Sequence, residues 1–448
     1  MSESPVKMLT DALAADIMSG RLAPGTPLPT HRKLAARYGM AIASASKAYA
    51  HLQSMGLVIG EPGRGTFVRD RPQQREWDND DEARLNAHVT DLSFNHPTWD
   101  GQADLLRTML RDLATSGDLA SLMHQQPPGG RRHEREIVAQ FLARQRGVRV
   151  EADRVFLVGG TQQGLDIVTR ALLEPHDSVA VDALSYPGFK MIADAHRLTL
   201  RPVRSLSLSD GPDFDALDAL CRRHRIRAIY TMPTLHNPLG WVLSAEQRRR
   251  LVEIARTHDC LLIEDAAYAY LAGKAPSALV TMAPERTVYV SSLSKSLASG
   301  LRFGFVVVPE AYAGRLKAAI RASYWSLSGI VTTMAMRWMD DGTVARQETF
   351  LRRDARHRQA IARRVFTGMD LTAHPSSMFL WLELPNDLRM DRIATALAKR
   401  GIAVSKARAY ATTKHAPHAL RIGLSSVTVD RLESVLMDVR ATIEQFPI

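Results

Sequence analysis

From Val155 to Val308 the chain repeats one pattern: a short, largely apolar run, then a stretch with helical spacing. The runs are Val155-Phe156-Leu157-Val158, Ser178-Val179-Ala180-Val181, Ala228-Ile229-Tyr230, Leu261-Leu262-Ile263, Thr287-Val288-Tyr289-Val290 and Phe305-Val306-Val307-Val308. Strands apolar on both faces are buried on both faces, so the pattern predicts an α/β fold with a largely parallel central sheet under helices on either side. In such sheets, ligand groups gather beyond the ends of the strands.

The residues that follow the runs carry chemistry. Gly159-Gly160-Thr161-Gln162 opens a helix, whose free N–H groups and dipole favour an anion; alone, such a glycine pair is more often a turn. Tyr186 offers an aromatic face after the second run, and Asn237 an amide after the third. Asp265 and Tyr268 close the fourth run with a carboxylate and a phenol. Lys295 follows the fifth, among Ser291, Ser292, Ser294 and Ser296 and seven residues before Arg302. Each group alone is ambiguous, but five in order, each after a strand, are not.

A lone amine in that setting reads as a Schiff-base lysine, since shielding from water favours the neutral, nucleophilic form of an amine. The cofactor this implies is pyridoxal 5′-phosphate. Its ring nitrogen requires a carboxylate, which Asp265 supplies, and its ring hydroxyl requires donors, which Asn237 and Tyr268 supply. Its phosphate fits the helix start at Gly160, Thr161 and Gln162, the hydroxyls of Ser292 and Ser294, and the Arg302 guanidinium. Tyr186 stacks on the ring.

The front of the chain is of another kind. Residues 1–75 hold ten Lys and Arg against five Asp and Glu, a disproportionate share of the net charge of +11. Helical spacing over Val6 to Met18, a second helix from His31 to Tyr38 capped by Thr30, and a third from about Ser44 to Ser54 precede two short strands around Glu61-Pro62-Gly63-Arg64-Gly65. Three short helices and a hairpin describe a winged helix-turn-helix.

Three stretches resemble the DNA-binding domain of GntR-family regulators: the run from Gly20 to Ala35, Ala48-Tyr49-Ala50-His51-Leu52, and Gly63-Arg64-Gly65-Thr66-Phe67-Val68. The resemblance implies contact with double-stranded operator DNA by Arg32 and Lys33, by Ser44, Ser46 and Lys47 of the recognition helix, and by Arg64, Gly65 and Thr66 of the wing. This domain is expected over residues 1–70. Residues 71–88 are acidic, polar and nearly free of aliphatics, which predicts a solvated tether.

Residues 89–448 resemble the fold-type I aminotransferases in the order and spacing of Asn237, Asp265, Lys295 and Arg302. The resemblance implies a large cofactor subdomain over about 100–330, a smaller α+β subdomain over about 335–448, and a homodimer with a shared active site. In Ala419-Leu420-Arg421-Ile422-Gly423, Arg421 matches the arginine with which that family binds a substrate α-carboxylate, which implies an amino-acid or amine ligand. There is one departure. His124 stands where the family usually has a tyrosine that reaches the neighbouring subunit's phosphate, and His133-Glu134 where it commonly has Leu-Arg.

A winged helix joined to such a domain resembles the MocR group of GntR-type regulators over essentially the whole chain. The expected function is transcription regulation, with a ligand sensed at Lys295 and Arg421. The alternative is an active aminotransferase whose DNA-binding module is autoregulatory. The two cysteines, Cys221 and Cys260, supply neither a disulfide framework nor a CxxC metal site and agree with a reducing cytoplasm. No run of about 18 apolar residues predicts a membrane span. A cytoplasmic protein is expected, nucleoid-associated when bound to DNA.

Overall fold

The computed structural model describes residues 5–18, 21–61, 64–69, 89–96, 99–116, 119–385, 390–413 and 416–446. The tether expected at 71–88, the turn residues Pro62 and Gly63, and Gly20 lie outside the described residues.

The first helices are α1 (Pro5–Met18), α2 (His31–Tyr38) and α3 (Ile42–Ser54). Thr30 caps α2, its hydroxyl accepting from the Lys33 N–H at 3.3 Å, and Gly39 ends it in the left-handed region at φ 60°. The recognition helix starts at Ile42, two residues before the predicted start. Ala45, Ala48 and Leu52 of α3 are fully buried against Leu34, Leu57 and Val68, so small residues set how closely the elements approach. Tyr49 donates to the Pro29 carbonyl at 2.6 Å and fixes the proline turn before α2. Strands β1 (Val58–Glu61) and β2 (Gly65–Val68) pair antiparallel as the wing.

Strand β3 (Thr90–Asp91) opens the second part of the chain. The central sheet has seven strands: β4 (Val155–Val158), β5 (Ser178–Asp182), β6 (Thr199–Val203), β7 (Ile226–Thr231), β8 (Leu261–Asp265), β9 (Thr287–Ser292) and β10 (Gly304–Val307). Their order is β4-β10-β9-β8-β7-β5-β6, and all neighbours are parallel except those of β10. The six apolar runs are six of these strands. The seventh, β6, is an edge strand whose Arg201 and Pro202 break the apolar pattern, as edges allow.

A smaller antiparallel sheet has the order β11 (Leu371–Thr372), β12 (Phe379–Glu383), β15 (Ala419–Gly423), β14 (Ser405–Lys406). It packs under the helices Thr343–Val365 and Val429–Glu444, with Trp381 wholly buried. Strand β13 (Ile402–Ala403) pairs in parallel with β3, so Thr90 and Asp91 join this half of the molecule.

Candidate functional site

Strands β4, β5, β7, β8 and β9 point the same way, and the loop after each delivers one predicted group to a single edge. The helix Thr161–Leu172 begins directly after Gly160, which lies at φ 100°. It sits tightly on the sheet: a Cβ at Gly164 would lie 2.9 Å from Val290 and 3.0 Å from Val306. Its N-terminus is therefore fixed relative to the strand ends.

Around that N-terminus the anion-binding groups converge. A Cβ at Gly160 would lie 3.3 Å from Arg302 Nη2 and 3.4 Å from Ser294 Oγ, so only glycine leaves room for a backbone cradle. Thr161 Oγ1 donates to Ser292 Oγ at 3.0 Å. Ser294 Oγ is buried with no hydrogen-bond partner among the described residues. The Gln162 side chain has a different task. It donates to the Gly188 carbonyl and accepts from Tyr186 Oη, each at 3.0 Å, and so positions the aromatic ring.

Asp265 is 1% exposed. It accepts from the Ala267 N–H at 3.0 Å and from Tyr230 Oη at 2.9 Å. Burial pushes its carboxyl up to about 6, against the pull of those two donors. Tyr230, a strand-core residue by its sequence pattern, is held for this bond by stacking on Phe189 with ring centres 3.9 Å apart. Asn237 is buried, and its Oδ1 has no partner among the described residues. The preceding His236 stacks on Trp241 at 4.1 Å and lies 3.5 Å from Asp182.

Lys295 Nζ donates to the Asn95 carbonyl at 2.9 Å, and Tyr270 Oη donates to the Lys295 carbonyl. Burial pushes the Tyr268 phenol up, but the Lys295 and Arg421 charges and its hydrogen bonds outweigh that and hold it below the ordinary value. Arg421, on β15, is 2% exposed, lies 4.6 Å over the Phe379 ring and donates to the Ser93 carbonyl at 3.0 Å. Asn95 joins these groups. With the amide assigned in the orientation that satisfies both its ends, its oxygen accepts from Tyr268 at 3.1 Å and from Arg421 at 2.7 Å, while its nitrogen donates to the Met378 carbonyl at 2.7 Å. No local signal marks Asn95, because its partners lie far along the chain.

A buried carboxylate, unpartnered Asn237 and Ser294 atoms, a lysine and an anion cradle on one sheet edge fit a phosphorylated aromatic aldehyde. The family model for aminotransferase class I and II matches residues 87–438. The chain belongs to the aminotransferase class I and II family. Pyridoxal 5′-phosphate is the cofactor of that family, and the donor set suits it. The model for bacterial regulatory proteins of the gntR family matches residues 5–68, so this family member carries a regulatory module at its front.

The chain is 26% identical to the uncharacterized HTH-type transcriptional regulator YdeF of Bacillus subtilis, over 99% of this chain and 95% of that protein. It is also 26% identical to the HTH-type pyridoxine biosynthesis transcriptional regulator PdxR of Corynebacterium glutamicum, over 96% and 94%. Among solved structures, the α-aminoadipate aminotransferase LysN of Thermus thermophilus, complexed with N-(5′-phosphopyridoxyl)-L-leucine, superposes with a TM-score of 0.73. That match is 21% identical and covers 81% of this chain and 93% of LysN. The fold is therefore shared.

The departures from the aminotransferase pattern have local roles. His124 is exposed, and its Nδ1 lies 2.8 Å from the Ala120 carbonyl. Glu134 caps the helix Arg132–Arg146 by accepting from the Arg131 N–H at 2.6 Å. In the gntR module, Arg32, Lys33, Lys47, Arg64 and Gly65 are exposed, while Ser44, Ser46 and Thr66 are half-buried. Ser46 Oγ lies 2.8 Å from His31 Nδ1, a contact that joins the start of α2 to α3.

Proposed function

We propose that this chain is a DNA-binding regulator whose aminotransferase-like domain binds pyridoxal 5′-phosphate on Lys295 and senses an amino acid or amine through Arg421. The observation that carries the reading is the joining of a gntR module to a cofactor site with its lysine, carboxylate and anion cradle in place. When bound, the cofactor supplies an aldehyde that captures amines and a ring that withdraws electrons. Asp265 would hold the proton on the ring nitrogen, Asn237 and Tyr268 would bind the ring hydroxyl, and Tyr186 would supply an aromatic face to the ring. The amides at Gly160, Thr161 and Gln162, with Ser292, Ser294 and Arg302, hold the phosphate. Arg421 takes the effector's carboxylate.

In this reading the protein works as a cytoplasmic homodimer on double-stranded DNA. An effector shifts it only by binding its two states unequally. Footprinting of operator DNA, with cofactor alone and with a panel of amino acids and amines, tests this. A footprint indifferent to every combination would overturn it.

A second reading is active transamination, supported by 28% identity to the 2-aminoadipate transaminase of Thermus thermophilus over 72% of this chain and 80% of that enzyme. Rapid steady-state turnover with a panel of amino and keto acids would favour it.

For the DNA side, Arg32→Ala is expected to weaken binding on all sequences alike. The slope of log K against log salt should fall by about one, as for one lost phosphate contact. A changed base preference in a binding-site selection would show that Arg32 reads bases instead.

A further inference from the structure

The strap Leu92–Asn95 engages the very groups that the proposed ligand requires. The Asn95 carbonyl accepts from Lys295 Nζ at 2.9 Å, and the Ser93 carbonyl accepts from Arg421 Nη1 at 3.0 Å. The Asn95 amide oxygen takes Arg421 Nη2 at 2.7 Å. Neutral oxygens of the chain thus lie along both ends of one guanidinium.

The strap is seated rather than draped. The Leu92 N–H donates to the Ala403 carbonyl at 2.8 Å, the Thr90 N–H to the Gly401 carbonyl at 2.7 Å, and the Gly423 N–H to the Leu92 carbonyl. A Cβ on Gly423 would lie 2.5 Å from the Phe94 carbonyl oxygen and 3.0 Å from that of Leu92, so glycine permits the close seat. In sequence, the strap follows the acidic segment that leads from the winged helix.

Resting on the functional reading above, we propose that residues 92–95 are an internal competitor for the effector's carboxylate, and that ligand binding at Arg421 unseats them. A carboxylate gripped by a guanidinium makes charge-assisted bonds that outrank bonds to neutral carbonyl and amide oxygens. Once these bonds are exchanged, Ser93 to Asn95 are held by hydrogen bonds with the Ser405, Ser425 and Ser426 hydroxyls and the backbone, each of modest net worth, while the buried Leu92 side chain anchors the start of the strap. The strap directly follows β3, the first strand described after residues 71–88, so its release loosens the attachment of that strand. Asn95 is a positioning residue in this scheme, acting on the ligand through Arg421.

The test uses the full-length protein and two probes, N-(5′-phosphopyridoxyl)-L-leucine and its counterpart without the carboxylate, N-(5′-phosphopyridoxyl)-3-methylbutylamine. Hydrogen exchange is followed at the Leu92 and Gly423 amides. The carboxylated probe is expected to speed exchange by about tenfold, as loss of roughly one charge-assisted bond implies, and the decarboxylated probe to leave it unchanged. In Asn95→Ala, the preference for the carboxylated probe should rise about fivefold, the worth of one competing hydrogen bond. If both probes bind and exchange is the same with each, or if Asn95→Ala lowers or leaves unchanged that preference, the strap is not a competitor. Binding of neither probe overturns the cofactor-site reading itself, and the strap proposal with it.

Discussion

Lys295→Ala is expected to abolish covalent capture of pyridoxal 5′-phosphate. Borohydride reduction of the loaded wild-type protein should fix the phosphopyridoxyl group at residue 295, and the absorbance band near the visible edge should vanish in the variant. The amine lies just past β9, on the edge where the Gly160–Arg302 cradle and Asp265 also lie. Proximity of this kind decides which amine reacts, because it turns a bimolecular encounter into an intramolecular one. Two other lysines make the test a sharp one. Burial pushes Lys190 and Lys406 down to about 8, with the Arg408 charge adding to each effect, so both are more nucleophilic than an ordinary lysine at neutral pH. Lys190 is nonetheless committed to the Ala409 carbonyl at 2.6 Å, and Lys406 lies 4.0 Å from Asp391. Labelled peptides containing residue 190 or 406, at wild-type yield in the Lys295→Ala digest, would sink the assignment.

What the sequence made legible follows from locality. Asp265 ends a buried strand, and Gly160, Lys295 and Asn237 follow one within six residues, so strand periodicity and the strand-end rule single out these positions. Arg421 required the family resemblance, since an arginine within a strand has no local mark of burial. Tyr230 was hidden for another reason: its ring belongs to the core, stacked on Phe189, while its hydroxyl alone serves Asp265. Asn95 and Ser93 contribute backbone carbonyls, which every residue has, to side chains about 200 and 330 positions away. Nothing in their own neighbourhood encodes that. The edge strand β6 escaped because Arg201 and Pro202 are tolerated only where one side of a strand has no partner.

Asp265→Asn is expected to weaken cofactor binding by about 10- to 100-fold, the worth of a hydrogen bond to a charged group. It should also remove part of the pH dependence. With the carboxyl pushed up to about 6 by burial, Asp265 is mostly ionised at pH 7 and binds a ring nitrogen that brings its own proton. Pairing with that proton favours the ionised form, so the carboxyl titrates lower in the complex than in the free site. The sign follows: affinity is level above about pH 6 and falls by up to tenfold per unit below it, as the free site gains a proton that binding must expel. A phosphate monoester also titrates near 6, so an acid limb alone does not identify Asp265. The difference between wild type and Asp265→Asn does, because the limb remaining in the variant belongs to the phosphate. Tyr230→Phe provides the opposite check. Losing the donor at 2.9 Å removes a pull that lowers the Asp265 value, so the limb should begin at a higher pH. Spectroscopic titration of pyridoxal 5′-phosphate from pH 5 to 8 measures all three proteins. Superimposable limbs in wild type and Asp265→Asn would remove Asp265 from the ring nitrogen.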